Sequence, residues 1–386
     1  MTVRVRSFAK TNLGLRIGEL RPDGFHELRT VYQTISLQDI IRVSVGRGSG
    51  IEIRCDDPRV PVDSTNTCYR VVDRAMQTLK ARGHVTIEIE KRLPVQGGLG
   101  GASGNAVAAL IALEKALGKQ LSGADKLRIA AEVGSDLPLF LIGGTVLGVG
   151  RGEEVYPLPD LPSMPCVVAT PDIAVSTPKA FADWDRYLES PKIESLKNCH
   201  SEPASFGEEP AVGRQDRYSK GKQVPRLRRI IRDANDSASL GMTGFYDESK
   251  LTSATHSGRM LKFSREISAW LSAGPEKVGR RRSGVSARGG GRAENLLLDL
   301  VRTGIENDFE RVVFPQYPEL REVKSVLERA GASYASLSGS GSAIYGLFDS
   351  RSKAAAAARK LNQSGTTAVV TSTLTRQQYW RAASSR

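Results

Sequence analysis

Residues 96–104 read QGGLGGASG, five glycines in nine positions. Glycine loses more conformational freedom on ordering than any other residue and readily adopts left-handed backbone, so this run belongs to neither a strand nor a helix interior. What surrounds it is regular. Val85, Ile87 and Ile89 alternate as a half-buried strand does, and Ala106, Leu110, Leu113 and Leu117 lie four, three and four apart, with Gly118 as a stop signal. The chain must therefore pass from strand through glycine loop to helix. Such a loop brings backbone N–H groups close to a ligand at the positive end of a helix, which suits nucleotide phosphates. A tight turn with no ligand would use the same glycines. No GxxxxGK[ST] occurs, and GxGxxG fails because Ser103 holds the last glycine position.

Around this unit, helices and strands are mixed. Val3 with Val5 and Val43 with Val45 alternate as strands, while Asn66–Ala81 and Ala124–Val133 read as helices, the second ending at Gly134. A short apolar piece, Leu137–Ile142, ends at two glycines. PLPDLPSMP at 157–165 is the best domain boundary. Structure is expected to resume at Ala293, with a helix through Leu320, Val323 and Leu327 stopped by Gly331, strands flanking SGSGS at 338–342, a helix over 352–361 and a strand over 368–374. This mixture places the chain in the α+β or mixed α/β class.

Charge enters because the net of +13 invites a nucleic-acid reading. Residues 189–292 hold 20 Lys+Arg and 12 Asp+Glu, whereas the rest of the chain holds 35 and 30, so the excess sits in one segment. That segment, with PRLRRIIR, GRRRS and SARGGGR, lacks apolar periodicity and an aromatic stacking platform. It reads as a basic, disordered insertion at about 190–245 that can be excised, and not as a nucleic-acid site. Cys55, Cys68, Cys166 and Cys199 show no CxxC spacing and are expected to be reduced thiols of a cytoplasmic protein. MTVRVRSFAK lacks the apolar core of a leader, and no apolar run reaches the roughly 18 residues of a membrane span. Oligomeric state is left open.

Four further features have chemical potential. Lys10, in AKTNL, lies where two apolar strands meet; alone it would be an ordinary surface lysine. Asp136, in GSDLPLFL, is either a helix cap or a carboxylate base. PDGFHEL at 22–28 sets an aromatic ring beside an imidazole on a turn, where a planar heterocycle can stack and be read, or where a half-buried Phe25 and a surface His26 simply close a hairpin. SGSGS supplies a second set of backbone donors, or a flexible hairpin connection.

Taken in order, AKTNLGLRIGELRPDGFHEL, LPVQGGLGGASGNA, GSDLPLFLIGGTVLGVGRGEEV and LSGSGSAIY resemble the small-metabolite kinases of the GHMP superfamily, over roughly residues 1–185 and 293–350. Within it they are similar to the branch that acts on a cytidine-diphosphate-linked methylerythritol in the non-mevalonate route to isoprenoids. The resemblance implies an α+β fold with an N-terminal lobe like domain 2 of ribosomal protein S5, residues 1–160, and a ferredoxin-like C-terminal lobe, residues 161–386. It implies ATP-dependent phosphorylation of a tertiary hydroxyl, with Asp136 as catalytic base and Lys10 as its partner. Pro94, Val95, Gln96, Gly97, Gly98, Leu99, Gly100, Gly101, Ala102, Ser103 and Gly104, together with Asn66, Ser338, Gly339, Ser340 and Gly341, match positions that hold ATP, and Ser103 is left as the hydroxyl candidate for phosphate or Mg²⁺. Asn12, Phe25, His26, Thr177 and Phe181 match the substrate positions, His26 reading the cytosine edge and Phe181 stacking on the base. Three departures stand out: Phe25 replaces the usual tyrosine, Gly104 replaces a frequent serine, and 190–290 shows little resemblance before ISAWLS at 267–272. A sister kinase acting on homoserine or mevalonate would share the loops and lacks a reason for DGFHEL; a non-catalytic binding protein lacks a reason for Lys10 and Asp136.

Overall fold

Two long strands carry the first half of the protein. In the computed structural model, which describes residues 1–95, 97–190 and 306–384, β1 (Thr2–Leu20) and β2 (His26–Gly46) pair antiparallel. Their alternating residues fall in register, Val3 beside Val43 and Val5 beside Ile41, so one face of the ribbon is apolar and buried. From Ser7 to Gly18 every residue of β1 is buried, on both faces. The cause is its position, since Phe8 belongs to the core of the first lobe whereas Leu15 and Ile17 belong to that of the second. A turn at Arg21–Gly24 joins the strands, with Gly24 at φ +81°.

β3 (Gly50–Cys55), β4 (His84–Glu90), β5 (Thr145–Val149) and β6 (Glu154–Pro157) complete a six-stranded sheet of order β3-β4-β2-β5-β6, with β1 on β2. Only β3–β4 is parallel. Four helices cover this sheet: α1 (Thr67–Thr78), α2 (Gly101–Leu117), α3 (Gly123–Val133) and α4 (Leu137–Phe140). Local signals set their ends. The Asn66 side chain accepts from the Cys68 N–H, the Ser122 hydroxyl from the Asp125 N–H, and Gly118 at φ +63° closes α2. Sequence spacing gives α2 a single apolar stripe, but Gly104–Leu110 is buried without interruption. The helix is enclosed by the sheet on one side and by α1 and α4 on the others, and small alanines permit that approach.

The second sheet, of order β10-β7-β9-β8, is antiparallel throughout: β7 (Pro165–Thr170), β8 (Tyr334–Leu337), β9 (Ile344–Leu347) and β10 (Thr367–Ser372). Helices α5 (Thr177–Glu189), α6 (Glu310–Gln316) and α7 (Pro318–Arg329) lie between β7 and β8 in the chain, and α8 (Arg351–Gln363) between β9 and β10. A β-α-β-β-α-β succession with spatial order 4-1-3-2 is the ferredoxin-like arrangement, and the α+β class is as expected. The proline-bearing stretch at 157–165 separates β6 from β7. The last helix, α9 (Arg376–Ser384), packs with the first lobe: the Tyr379 ring lies 5.5 Å from that of Phe8, its hydroxyl donates to the Phe140 carbonyl at 2.7 Å, and Trp380 Nε1 donates to the Ile142 carbonyl at 2.9 Å.

The basic segment beyond Ser190, the resumption of structure at Ala293, Gln96 and Cys199 lie outside the described residues. Cys55, Cys68 and Cys166 are free thiols, and burial pushes the Cys68 thiol up to about 12. No helix among the described residues is long and apolar enough to cross a membrane.

Candidate active site

Strand periodicity puts Lys10 and Asn12, two residues apart on β1, on one face. The Lys10 ammonium is almost wholly buried; it donates to Asn12 Oδ1 at 2.7 Å, lies 3.4 Å from Asp136 Oδ2 and sits 5.5 Å from the centre of the Tyr32 ring. Asn12 is itself oriented, because its Nδ2 donates to Thr30 Oγ1 at 2.8 Å. A buried ammonium costs several kcal/mol unless its charge is met, and here Asp136 meets it. Asp136 holds the N-cap position of α4 but makes no side-chain cap bond. Its carboxylate turns instead to Lys10 and to Tyr32, whose hydroxyl donates to Oδ1 at 3.0 Å. Burial, and then the Asp136 charge, push the Tyr32 hydroxyl well above its usual range and keep it a donor.

The glycine loop runs directly alongside. The Lys10 N–H donates to the Leu99 carbonyl at 2.9 Å, so loop and β1 are tied at the reacting centre. Gly98 and Gly100 adopt φ +72° and +69°. A Cβ at 98 would run into the Ser338 carbonyl oxygen, and one at 100 would lie 2.9 Å from Lys10 Cγ. Gly104, where the resemblance suggests serine, has no room for a side chain: its Cβ would stand 2.8 Å from the Phe8 carbonyl oxygen. The entry to the loop is anchored by Asp39, wholly buried, which accepts from the Arg92 and Leu93 N–H groups at 2.7 Å, from Asn105 Nδ2 at 2.9 Å and from Lys91 Nζ at 2.8 Å. Sequence reading missed it because its partners are brought in by the pairing of β2 with β4 and by the packing of α2 on the sheet.

A cavity of about 370 Å³ opens over this loop, lined by Asn66, Pro94, Val95, Gly97, Gly98, Leu99, Gly100, Gly101, Ala102 and Ser103. Gly104 is not among them. Asn66 reaches it with an amide already engaged, by Cys68 N–H and the Pro61 carbonyl. In the second loop, Gly339 and Ser340 line a neighbouring cavity of about 660 Å³, while Ser338 Oγ donates to the Gly98 carbonyl at 3.0 Å and braces the first loop. Asn307, also unforeseen, clamps the second loop by donating to the Leu337 and Gly339 carbonyls at 2.9 and 2.7 Å. Gly98 and Gly100 line both cavities, so the two meet there.

The larger cavity holds Lys10, Asn12, Tyr32 and Asp136, with Phe25, His26, Thr177 and Phe181 among its other lining residues. His26 is 7% exposed, buried rather than on the surface. Its ring stacks on Phe181, centres 5.0 Å apart and planes at 11°, and its Nε2 lies 2.7 Å from Asp185 Oδ1. Phe181 thus covers one face of the His26 ring. Thr177 Oγ1 bonds Ser340 Oγ at 2.7 Å and ties α5 to the second loop. Phe25 is half exposed beneath the Arg151 guanidinium, 4.9 Å from its ring centre. Tyr32, Arg151 and Asp185 were not foreseen. The available signals were slight: Tyr32 is the register partner of Asn12, Arg151 stands between two glycines, and Asp185 follows Phe181 by one helical turn.

Residues 66–144 match the GHMP kinases N-terminal domain and residues 292–367 the GHMP kinases C-terminal domain. The chain is 31% identical to the 4-diphosphocytidyl-2-C-methyl-D-erythritol kinase of Solibacter usitatus over 99% of its own length and 92% of that protein's. It is 30% identical to the protein of the same name from Acaryochloris marina, over 92% and 89%. Among solved structures, a 4-(cytidine 5'-diphospho)-2C-methyl-D-erythritol kinase superposes with a TM-score of 0.60 at 24% identity, covering 96% of this chain and 98% of that one. Homoserine kinase from Cytophaga hutchinsonii gives 0.59 at 18%, covering 98% and 96%. At these identities the structures speak for the fold.

Proposed function

The chain belongs to the 4-diphosphocytidyl-2-C-methyl-D-erythritol kinases of the GHMP superfamily, and from that premise we propose that Asp136 and Lys10 carry the transfer of the ATP γ-phosphoryl to the 2-hydroxyl of 4-(cytidine 5'-diphospho)-2-C-methyl-D-erythritol. The observation that supports this assignment is the contact of Lys10 with Asp136 at 3.4 Å where the two cavities meet. ATP occupies the smaller cavity, its phosphates against the glycine loop, and the alcohol occupies the larger one. The acceptor hydroxyl gives its proton to Asp136 as the phosphoryl arrives; Lys10, 3.4 Å from that carboxylate, orients it and offsets the charge in transit. Tyr32 and Asn12 hold the pair in place. Phe25, His26 and Phe181 receive the cytidine end, and Thr177 fixes the second loop against it.

Among the described residues, no group of three or more His, Cys, Asp or Glu side chains is arranged to hold a metal alone. A hydroxyl on the nucleotide cavity fits a Mg²⁺ that arrives on phosphates; Ser103, at the start of α2, is the one the glycine loop supplies, with Thr65 and Thr67 also on the lining. Bound there, the ion would supply neutralisation of phosphate charge. A phosphoryl acceptor of the homoserine or mevalonate type would leave the cytidine end of the larger cavity empty. ADP release measured with the cytidylyl alcohol, homoserine and mevalonate side by side tests the proposal. Turnover is expected with the first alone, and equal turnover with either of the others would overturn it.

A further inference from the structure

We propose that Asp185 sets the tautomer of His26 and thereby makes the larger cavity selective for a base that presents an amine, rather than a carbonyl, at the edge His26 reads. The proposal rests on the reading of His26 as the base-contacting residue. Asp185 does not touch the base itself; it is a positioning residue.

Helix geometry brings the parts together. Phe181 and Asp185 lie one turn apart on α5, so they share a face, and both meet the same imidazole. Phe181 clamps the plane of the ring, and Asp185 Oδ1 fixes its rotation through Nε2 at 2.7 Å. A carboxylate only accepts, so the proton of a neutral His26 is held on Nε2. That leaves the lone pair on Nδ1, which has no hydrogen-bond partner among the described residues, on a ring that lines the cavity. A cytosine offers its N4 amine to such an acceptor. A uracil offers the O4 carbonyl at the same place, and two acceptors then face each other in a desolvated site. The opposite tautomer would reverse the preference.

Asp185 is 44% exposed at its side chain, so replacing it does not open the core. The test uses protein labelled with ¹⁵N at histidine, with His26 assigned from a His26→Gln variant, at mildly alkaline pH. In the unaltered protein Nε2 is expected to be protonated and Nδ1 not. Asp185→Ala is expected to populate the other tautomer, to raise KM for the cytidylyl alcohol about tenfold and to lower its preference over the uridylyl analogue by about as much, with the KM for ATP unmoved. Asp185→Glu is expected to restore both tautomer and preference. Protonation of Nδ1 in the unaltered protein, or an Asp185→Ala variant that keeps both tautomer and preference, would overturn the proposal. His26→Ala separates the two levels: if it leaves KM for the cytidylyl alcohol unchanged, the base-reading role itself fails. If it raises that KM while Asp185→Ala does not, only the role of Asp185 fails.

Discussion

At the scale of the residue, the same side chains admit a plain and a chemical reading, and the surroundings choose. Asp136 was equally a helix cap, yet its carboxylate makes no cap bond and faces Lys10 and Tyr32. Lys10 alone would be a solvated lysine, but it is buried against partners that meet its charge. Asp136→Asn preserves the shape and removes the proton acceptor. It is expected to lower kcat about 10²–10⁴-fold with the KM for ATP little changed. Lys10→Ala is expected to be comparably severe and Lys10→Arg milder, because a cation is retained. Steady-state kinetics decide; near-normal kcat in Asp136→Asn would remove it from the mechanism.

At the scale of the element, the two glycine loops form one unit. Ser338 Oγ bonds the Gly98 carbonyl, the Ala343 N–H donates to the Gly97 carbonyl at 3.2 Å, and the surfaces touch where Gly98 lacks a side chain. Gly98→Ala brings both a left-handed φ and a collision with the Ser338 backbone, so the loops must part. Its cost is expected at about 1–3 kcal/mol from the dihedral alone, with the KM for ATP raised at least about tenfold because the cradle loses its shape. Gly118→Ala is the matched comparison. It has φ +63° with nothing within 4 Å, so it should cost about 1 kcal/mol of stability and leave ATP binding intact. Thermal melting with and without ATP reads both effects; equal ATP-dependent shifts in the two variants would show that the interlock is irrelevant to the nucleotide.

At the scale of the whole molecule, the last helix ties the end of the chain to the site. Tyr379 is 4% exposed, packs on Phe8 and donates to the carbonyl of Phe140, the last residue of α4, whose first turn Asp136 begins. Tyr379→Ala leaves a cavity there and is expected to cost about 3–5 kcal/mol. Tyr379→Phe loses only the hydrogen bond, about 1 kcal/mol. Denaturant unfolding measures the difference, and kcat is expected to fall in Tyr379→Ala as α4 loosens. Full activity in a variant destabilised by that amount would uncouple α9 from the position of Asp136.

The sequence by itself determined what depends on neighbours within a few residues. Strand and helix periods, the stops at Gly118 and Gly331 and the strand-loop-helix unit all stand where spacing puts them, and the caps the structure shows at Asn66, Ser122 and Ser350 are made within a single turn. Motif order also brought Lys10, Asp136, His26 and Phe181 to notice, though not how they meet. Tyr32 reaches Asp136 across 104 positions, His26 reaches Asp185 across 159, and Ser338 reaches Gly98 across 240. Only the tertiary structure decided those contacts, the burial of both faces of β1 and the return of α9 to the first lobe. Propensity and capping act through bonds within a turn or a strand pair, whereas an active site forms where separate surfaces are packed together. Which side chains then face each other is set by the register and stacking of whole elements, and no local pattern carries that.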